Sequence, residues 1–113
     1  MCSRSDLNQI LKEVAKIYRS TFEGRICAIY LYGSYARGTN TDTSDIDIVA
    51  IVDGKREELQ QDLKLIWDKV ADISLEYDIV VSPTVIPFEE FENYKDILPY
   101  YRNIAKEGVK IGA

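Results

Sequence analysis

Asp45 and Asp47 flank a single isoleucine at the head of the apolar run IDIVAIV, inside the segment LYGSYARGTNTDTSDIDIVAIVD. Side chains two apart on a strand point to the same side, so a strand here presents the two carboxylates together. A third, Asp78, lies in LEYDIVVSP, which reads as a neighbouring strand, and Glu76 two residues earlier shares its face. Carboxylates that close repel unless they take up protons or bind cations. Hard oxygen ligands suit Mg²⁺ or Mn²⁺, which keep waters and bridge to phosphates, and two ions can share such a cluster as in phosphoryl-transfer sites. The plainer alternative is that Asp45 caps a turn with Ser44 while Asp78 makes a surface ion pair.

Gly33 and Ser34 end one apolar run and open what reads as a short helical turn at Tyr35 to Arg37. Such a turn leaves backbone N–H groups free for phosphate oxygens, with the Ser34 hydroxyl as a further donor. Arg37 either clamps a triphosphate bidentately or makes an ordinary salt bridge. Gly38 ends the turn and has no chemical role. The chain contains no histidine, which excludes Ser-His and Cys-His nucleophile pairs and imidazole zinc sites. Carboxylates must carry any acid-base or metal chemistry.

These residues need elements to position them. From Asp6 to about Phe22, apolar residues recur at helical spacing, with Ser5 as the expected N-cap. RICAIYLYG and DIDIVAIVDG read as buried strands stopped by Gly33 and by Asp53-Gly54. A surface helix is expected from Lys55 to about Ile73, and the third strand, LEYDIVVSP, ends at Pro83. PFEEFENY and PYYRNIAKEG are short helices each opening at a proline, the second capped by Gly108. The short link between strands one and two makes them antiparallel neighbours, and the long helix makes two and three parallel through a right-handed crossover. The fold class is therefore α/β (α+β), a small mixed sheet of about three strands with helices packed on it. Gly33, Ser34, Asp45, Asp47 and Asp78 are expected to converge on one sheet edge.

At 113 residues the chain has room for one domain, residues 1–113. Its 46% hydrophobic and 29% charged residues are those of a soluble globular protein. Acidic residues outnumber basic ones 19 to 14, a net charge of −5, so no broad basic surface for long nucleic acid is expected. No apolar stretch approaches a membrane span or a signal-peptide core. Cys2 and Cys27 lack metal-ligand spacing and read as reduced thiols of a cytoplasmic protein.

GSYARG followed by SDIDIVAIVD resembles the Gly-Ser…Asp-x-Asp signature of the DNA polymerase β-like nucleotidyltransferase superfamily. More narrowly, the chain is similar to the minimal nucleotidyltransferases, the MNT or MntA-like antitoxins, over nearly its whole length. Both glycines, Ser34, Arg37, Ser44 and the Asp45/Asp47 pair fall where that motif has them, which makes Gly33, Ser34, Arg37 and Ser44 the nucleotide-binding candidates. The resemblance implies transfer of AMP from ATP to a hydroxyl with release of pyrophosphate, Asp45 and Asp47 holding Mg²⁺ or Mn²⁺ and Asp78 completing the metal site and serving as base. Its usual partner is a HEPN-type ribonuclease toxin modified on tyrosine. Phe88, Phe91, Tyr94, Tyr100 and Tyr101 are either a docking face for it or core residues of amphipathic helices. Two alternatives stay open, a small-molecule (aminoglycoside-type) nucleotidyltransferase and a non-catalytic antitoxin acting by occlusion.

Overall fold

A computed structural model describes residues 3–111. The elements in chain order are α1 (Arg4–Thr21), β1 (Ile26–Tyr32), α2 (Ser34–Arg37), β2 (Ile46–Val52), α3 (Arg56–Tyr77), β3 (Val81–Pro87), α4 (Phe88–Tyr94), α5 (Pro99–Glu107) and β4 (Val109–Lys110). The sheet order is β3-β2-β1-β4, with β1–β2 antiparallel and β2–β3 parallel. The expected mixed sheet is thus present, with a fourth strand added. β4 pairs only Val109 and Lys110 with Leu31 and Tyr30 of β1, too short a stretch to leave a period-two pattern in the sequence.

Alternation along β2 sorts the core into two layers. Ile46, Ile48, Ala50 and Val52 face α1 and α3, packing with Ile10, Val14, Tyr18, Ile66 and Val70. Val49 and Ile51 face the other way, into a smaller cluster with Phe91 of α4 and Tyr101 and Ile104 of α5. Asp47 shares the parity of Val49 and therefore opens onto the α4–α5 side. Among the described residues no helix is long and apolar enough to cross a membrane.

Three sequence expectations are corrected. The first helix is capped by Ser3, not Ser5: the Ser3 hydroxyl accepts from the Asp6 N–H at 3.0 Å and the Asp6 carboxylate accepts from the Ser3 N–H at 3.4 Å, a reciprocal capping box. The second long helix runs past Ile73 to Tyr77, because Ile73 and Tyr77 still pack on the core. The third strand consequently starts at Val81, and Pro83 sits within it rather than ending it. β3 is an edge strand, where proline is tolerated because half the N–H groups face away from the neighbour. Thr84's N–H is the one turned inward, so the N–H that Pro83 lacks belongs to the open side.

One side chain takes part in the strand pairing itself. The buried Tyr18 hydroxyl of α1 accepts from the Thr84 N–H at 3.0 Å and shares its one proton between two acceptors, the Thr84 carbonyl at 2.8 Å and the Ile48 carbonyl at 3.1 Å. It bridges β2 and β3 just behind Asp47. Burial holds this phenol far above the usual range, so it stays protonated.

Candidate active site

The site forms where β1 ends and β2 begins. Tyr32, the last residue of β1, is the cross-strand partner of Asp47. The chain then turns through Gly33 with φ 79° and ψ −155°, a region that essentially only glycine enters. A Cβ on Gly33 would lie 2.6 Å from Oδ2 of Asp47. Backbone conformation and close approach both demand glycine, and the second reason ties the turn directly to a carboxylate.

α2 is a single turn. The Gly33 carbonyl accepts from the Ala36 and Arg37 N–H groups at 3.1 and 3.2 Å, and Gly38, in the left-handed region, closes it onto the Ser34 carbonyl. The opening of this turn faces Asp47 through Gly33. Arg37 pairs with Glu107 of α5 at 3.4 Å, both half-exposed, which is a weak and easily exchanged contact.

Residues 39–45 return the chain to β2. The Ser44 hydroxyl accepts from the Thr41 N–H at 2.8 Å, and the Ser44 N–H donates to the Thr41 carbonyl at 3.1 Å. Ser44 thereby closes the turn that presents Asp45, one residue before the strand. Asp45 is exposed and Asp47 half-buried.

Asp78 is not where the sequence placed it. It is no strand residue but the left-handed C-cap of α3, with φ 51°, its N–H donating to the Ser74 carbonyl. The helix outlasts the expected strand start, so Asp78 turns into a groove of about 350 Å³ shared with Ser44, Asp45, Leu75 and Val80 instead of lying beside Asp47. Glu76 lies within α3 as well. The β3 residue paired with Asp47 is Ser82, and Thr84 follows it on the same face. Among the described residues no three acidic, cysteine or histidine side chains come together as a metal cage. The expected three-carboxylate set is therefore a pair. A larger cavity of about 720 Å³ lies at the opposite end of β1, between Phe22, Ile26 and Lys110, and contains none of these residues.

Known proteins bear on this geometry. The nucleotidyltransferase domain profile matches residues 7–111. The chain belongs to the nucleotidyltransferase domain family. It is 35% identical, over 87% of its length and 90% of the relative's, to a Methanocaldococcus jannaschii protein named "Putative protein adenylyltransferase MJ0604". It superposes on a crystal structure of a toxin-antitoxin with AMP-PNP at TM-score 0.60 and 19% identity, covering 91% of this chain and 73% of that one. A structure of a variant of the toxin-antitoxin MntA-HpeT gives TM-score 0.57 at 17% identity, with coverage of 91% and 73%. At these identities the two structures share the fold.

In this nucleotidyltransferase the carboxyl of Asp47 is raised above its ordinary value, first by burial and then by the charge of Asp45. Neither aspartate makes an ion pair among the described residues. Two hard oxygen donors, crowded and without a counter-charge, fit a divalent cation that completes its shell with water and phosphate.

One of the aromatics expected in a docking face or the core is instead a neighbour of the site. Tyr100, at the start of α5, sets its ring edge-to-face on Tyr32 with centroids 5.6 Å apart. Burial chiefly raises its phenol, followed by the proximity of Tyr32 and Asp47, while Thr84 opposes the shift by hydrogen bonding. Tyr32 could have been flagged from its parity with Asp47 across a hairpin. Tyr100 stood out only as an aromatic of an amphipathic helix, and its place beside Asp47 carried no signal, since it depends on how α5 docks. Of the aromatic docking candidates, Phe91 and Tyr101 are core residues, whereas Phe88, Tyr94 and Tyr100 remain partly exposed.

Proposed function

We propose that this nucleotidyltransferase moves AMP from ATP onto a tyrosine hydroxyl of a partner protein, a HEPN-type ribonuclease toxin, and so acts as an antitoxin in the cytoplasm. The observation that carries the reading is the contact of Gly33 with Asp47: the turn suited to phosphate and the carboxylate suited to metal are one unit. The relative whose name is that of a protein adenylyltransferase supports a protein acceptor, and the toxin-antitoxin structures that share the fold are consistent with it.

Asp45 and Asp47 would hold Mg²⁺ or Mn²⁺, which when bound neutralises the triphosphate and the charge developing on the leaving group. The N–H groups opening α2 and the Ser34 hydroxyl orient the phosphates, and Arg37 exchanges Glu107 for a phosphate oxygen. Ser44 acts by fixing the turn that presents Asp45. The acceptor oxygen bonds to the α-phosphorus, the bond to the β-phosphate breaks, pyrophosphate leaves, and the phenol's proton goes to solvent. Asp78 is left out of this step, because β3 brings no carboxylate beside Asp47. A phenol, with pKa near 10, loses its proton more readily than an aliphatic alcohol, so a site without a dedicated base suits it.

The test incubates the chain with ATP labelled on its α-phosphate, Mg²⁺ and the protein encoded by the adjacent gene, the candidate toxin, and maps the label by mass spectrometry. One or more AMP residues on a toxin tyrosine, absent with the Asp45→Asn/Asp47→Asn variant, is the expected result. Silencing of the toxin by that double variant with no AMP on any tyrosine establishes occlusion instead. Label on an added aminoglycoside alone establishes the small-molecule reading.

A further inference from the structure

We propose that Tyr100 is the acceptor-positioning residue of this site: its ring, standing on Tyr32 beside Asp47, forms the wall that holds an aromatic acceptor side chain against the carboxylate pair. This inference rests on the protein-tyrosine reading above and adds which part of the chain orients that tyrosine.

The face of the sheet that carries Asp47 is walled unequally. On β3 the neighbours of Asp47 are the small side chains of Ser82 and Thr84, and the Tyr100 phenol reaches across to hydrogen-bond with Thr84. On β1 the neighbour is Tyr32. α5 crosses above, and Tyr100 is the residue it lowers toward Tyr32 and Asp47. The phosphate turn opens at Gly33, directly after Tyr32 and against Asp47; in the proposal the nucleotide sits on that turn and the acceptor against Tyr100.

The position of Tyr100 is fixed by its neighbour rather than by itself. Tyr101 is buried, stacks near Phe91 at 6.0 Å, and donates to Glu90 at 3.2 Å, while Glu90 accepts from Arg56 at 2.6 and 3.1 Å. This network pins the first turn of α5, which starts at Pro99 with its preset φ. Tyr100 itself keeps 43% of its surface exposed, though an aromatic ring gains more from burial than most side chains. Tyr100 sits between Tyr32, at 5.6 Å, and Tyr101, at 5.9 Å, so an acceptor ring would meet only the part of Tyr100 that these two leave exposed. A flat, rigid wall next to a hydroxyl-activating site is what an aromatic alcohol acceptor requires.

The experiment compares wild type with Tyr100→Ala, Tyr100→Leu and Tyr100→Phe, using MgATP and the toxin as acceptor. Expected are an acceptor KM raised about fivefold to tenfold in the alanine and leucine variants, a calorimetric MgATP affinity unchanged in all three, and recovery of the wild-type KM by phenylalanine. Melting temperatures close to wild type accompany this, since the anchor of α5 is Tyr101. An unchanged acceptor KM in Tyr100→Ala, or a loss confined to MgATP affinity, overturns the inference while leaving the proposed reaction standing. If wild type labels no tyrosine of any protein, the proposed reaction falls and the inference with it. Loss in Tyr100→Phe equal to that in Tyr100→Ala overturns the ring as the active element.

Discussion

At the scale of single residues, the closest constraint in the molecule is the one between Gly33 and Asp47. Gly33→Ala forces a Cβ toward the Asp47 carboxylate and places an L side chain in a backbone region that costs about 1–3 kcal/mol. The expected result is a lower melting temperature together with weaker Mg²⁺ binding by calorimetry, because the side chain that must move is a proposed ligand. Asp47→Asn acts in the opposite direction on stability. Its folded carboxyl is raised above the ordinary value of 3.8, so the native state binds the proton more tightly than the unfolded chain, and the ionised form opposes folding at neutral pH. In metal-free buffer Asp47→Asn should therefore melt higher than wild type at pH 7, with the gap closing as pH falls through the raised value toward 3.8. Transfer should be abolished. A variant that melts lower and still transfers AMP marks Asp47 as a structural cap.

At the scale of elements, two substitutions separate structure from chemistry. Tyr18→Phe removes the hydroxyl that serves Thr84 and Ile48 and leaves their backbone groups buried without a partner. A loss of about 1–3 kcal/mol in denaturant unfolding is expected. Asp78→Gly relieves a left-handed, non-glycine cap and should stabilise by about 0.5–1 kcal/mol with transfer kept; abolished transfer would return Asp78 to the catalytic set. How much of this was legible follows the same division. Apolar patterning gave α1, β1 and β2, because burial writes directly into residue spacing, while the prolines marked the two short helices and the lengths of the connections gave the mixed pairing. Apolar residues continuing past Ile73 fit helix and strand equally, and tertiary packing of Tyr77 decided for helix. That one boundary removed Asp78 from the sheet. The Gly-Ser turn and the Asp45/Asp47 pair could be read because hairpin connectivity is local, whereas Tyr100 depends on docking through Arg56, Glu90 and Tyr101, which no spacing encodes.

At the scale of the whole molecule, a net charge of −5 and a carboxylate pair without a counter-ion set the terms for any triphosphate. ATP should bind poorly in chelator and well in Mg²⁺ or Mn²⁺, by calorimetry at fixed ionic strength; equal affinity in both would remove the metal from the mechanism. The bridge from Tyr18 to Thr84 reaches across 66 positions of the chain, and it bears on the order in which the protein is made. Helix α1 leaves the ribosome before either strand, and its hydroxyl, which can meet the Ile48 carbonyl once β2 is out, lacks its Thr84 partners until β3 has emerged. Non-local pairings of this kind slow folding and hold intermediates open. Until residue 84 is free, the nascent chain is a helix and hairpin with an unsealed edge, so a chain stalled before that point is the species chaperones would have to shield.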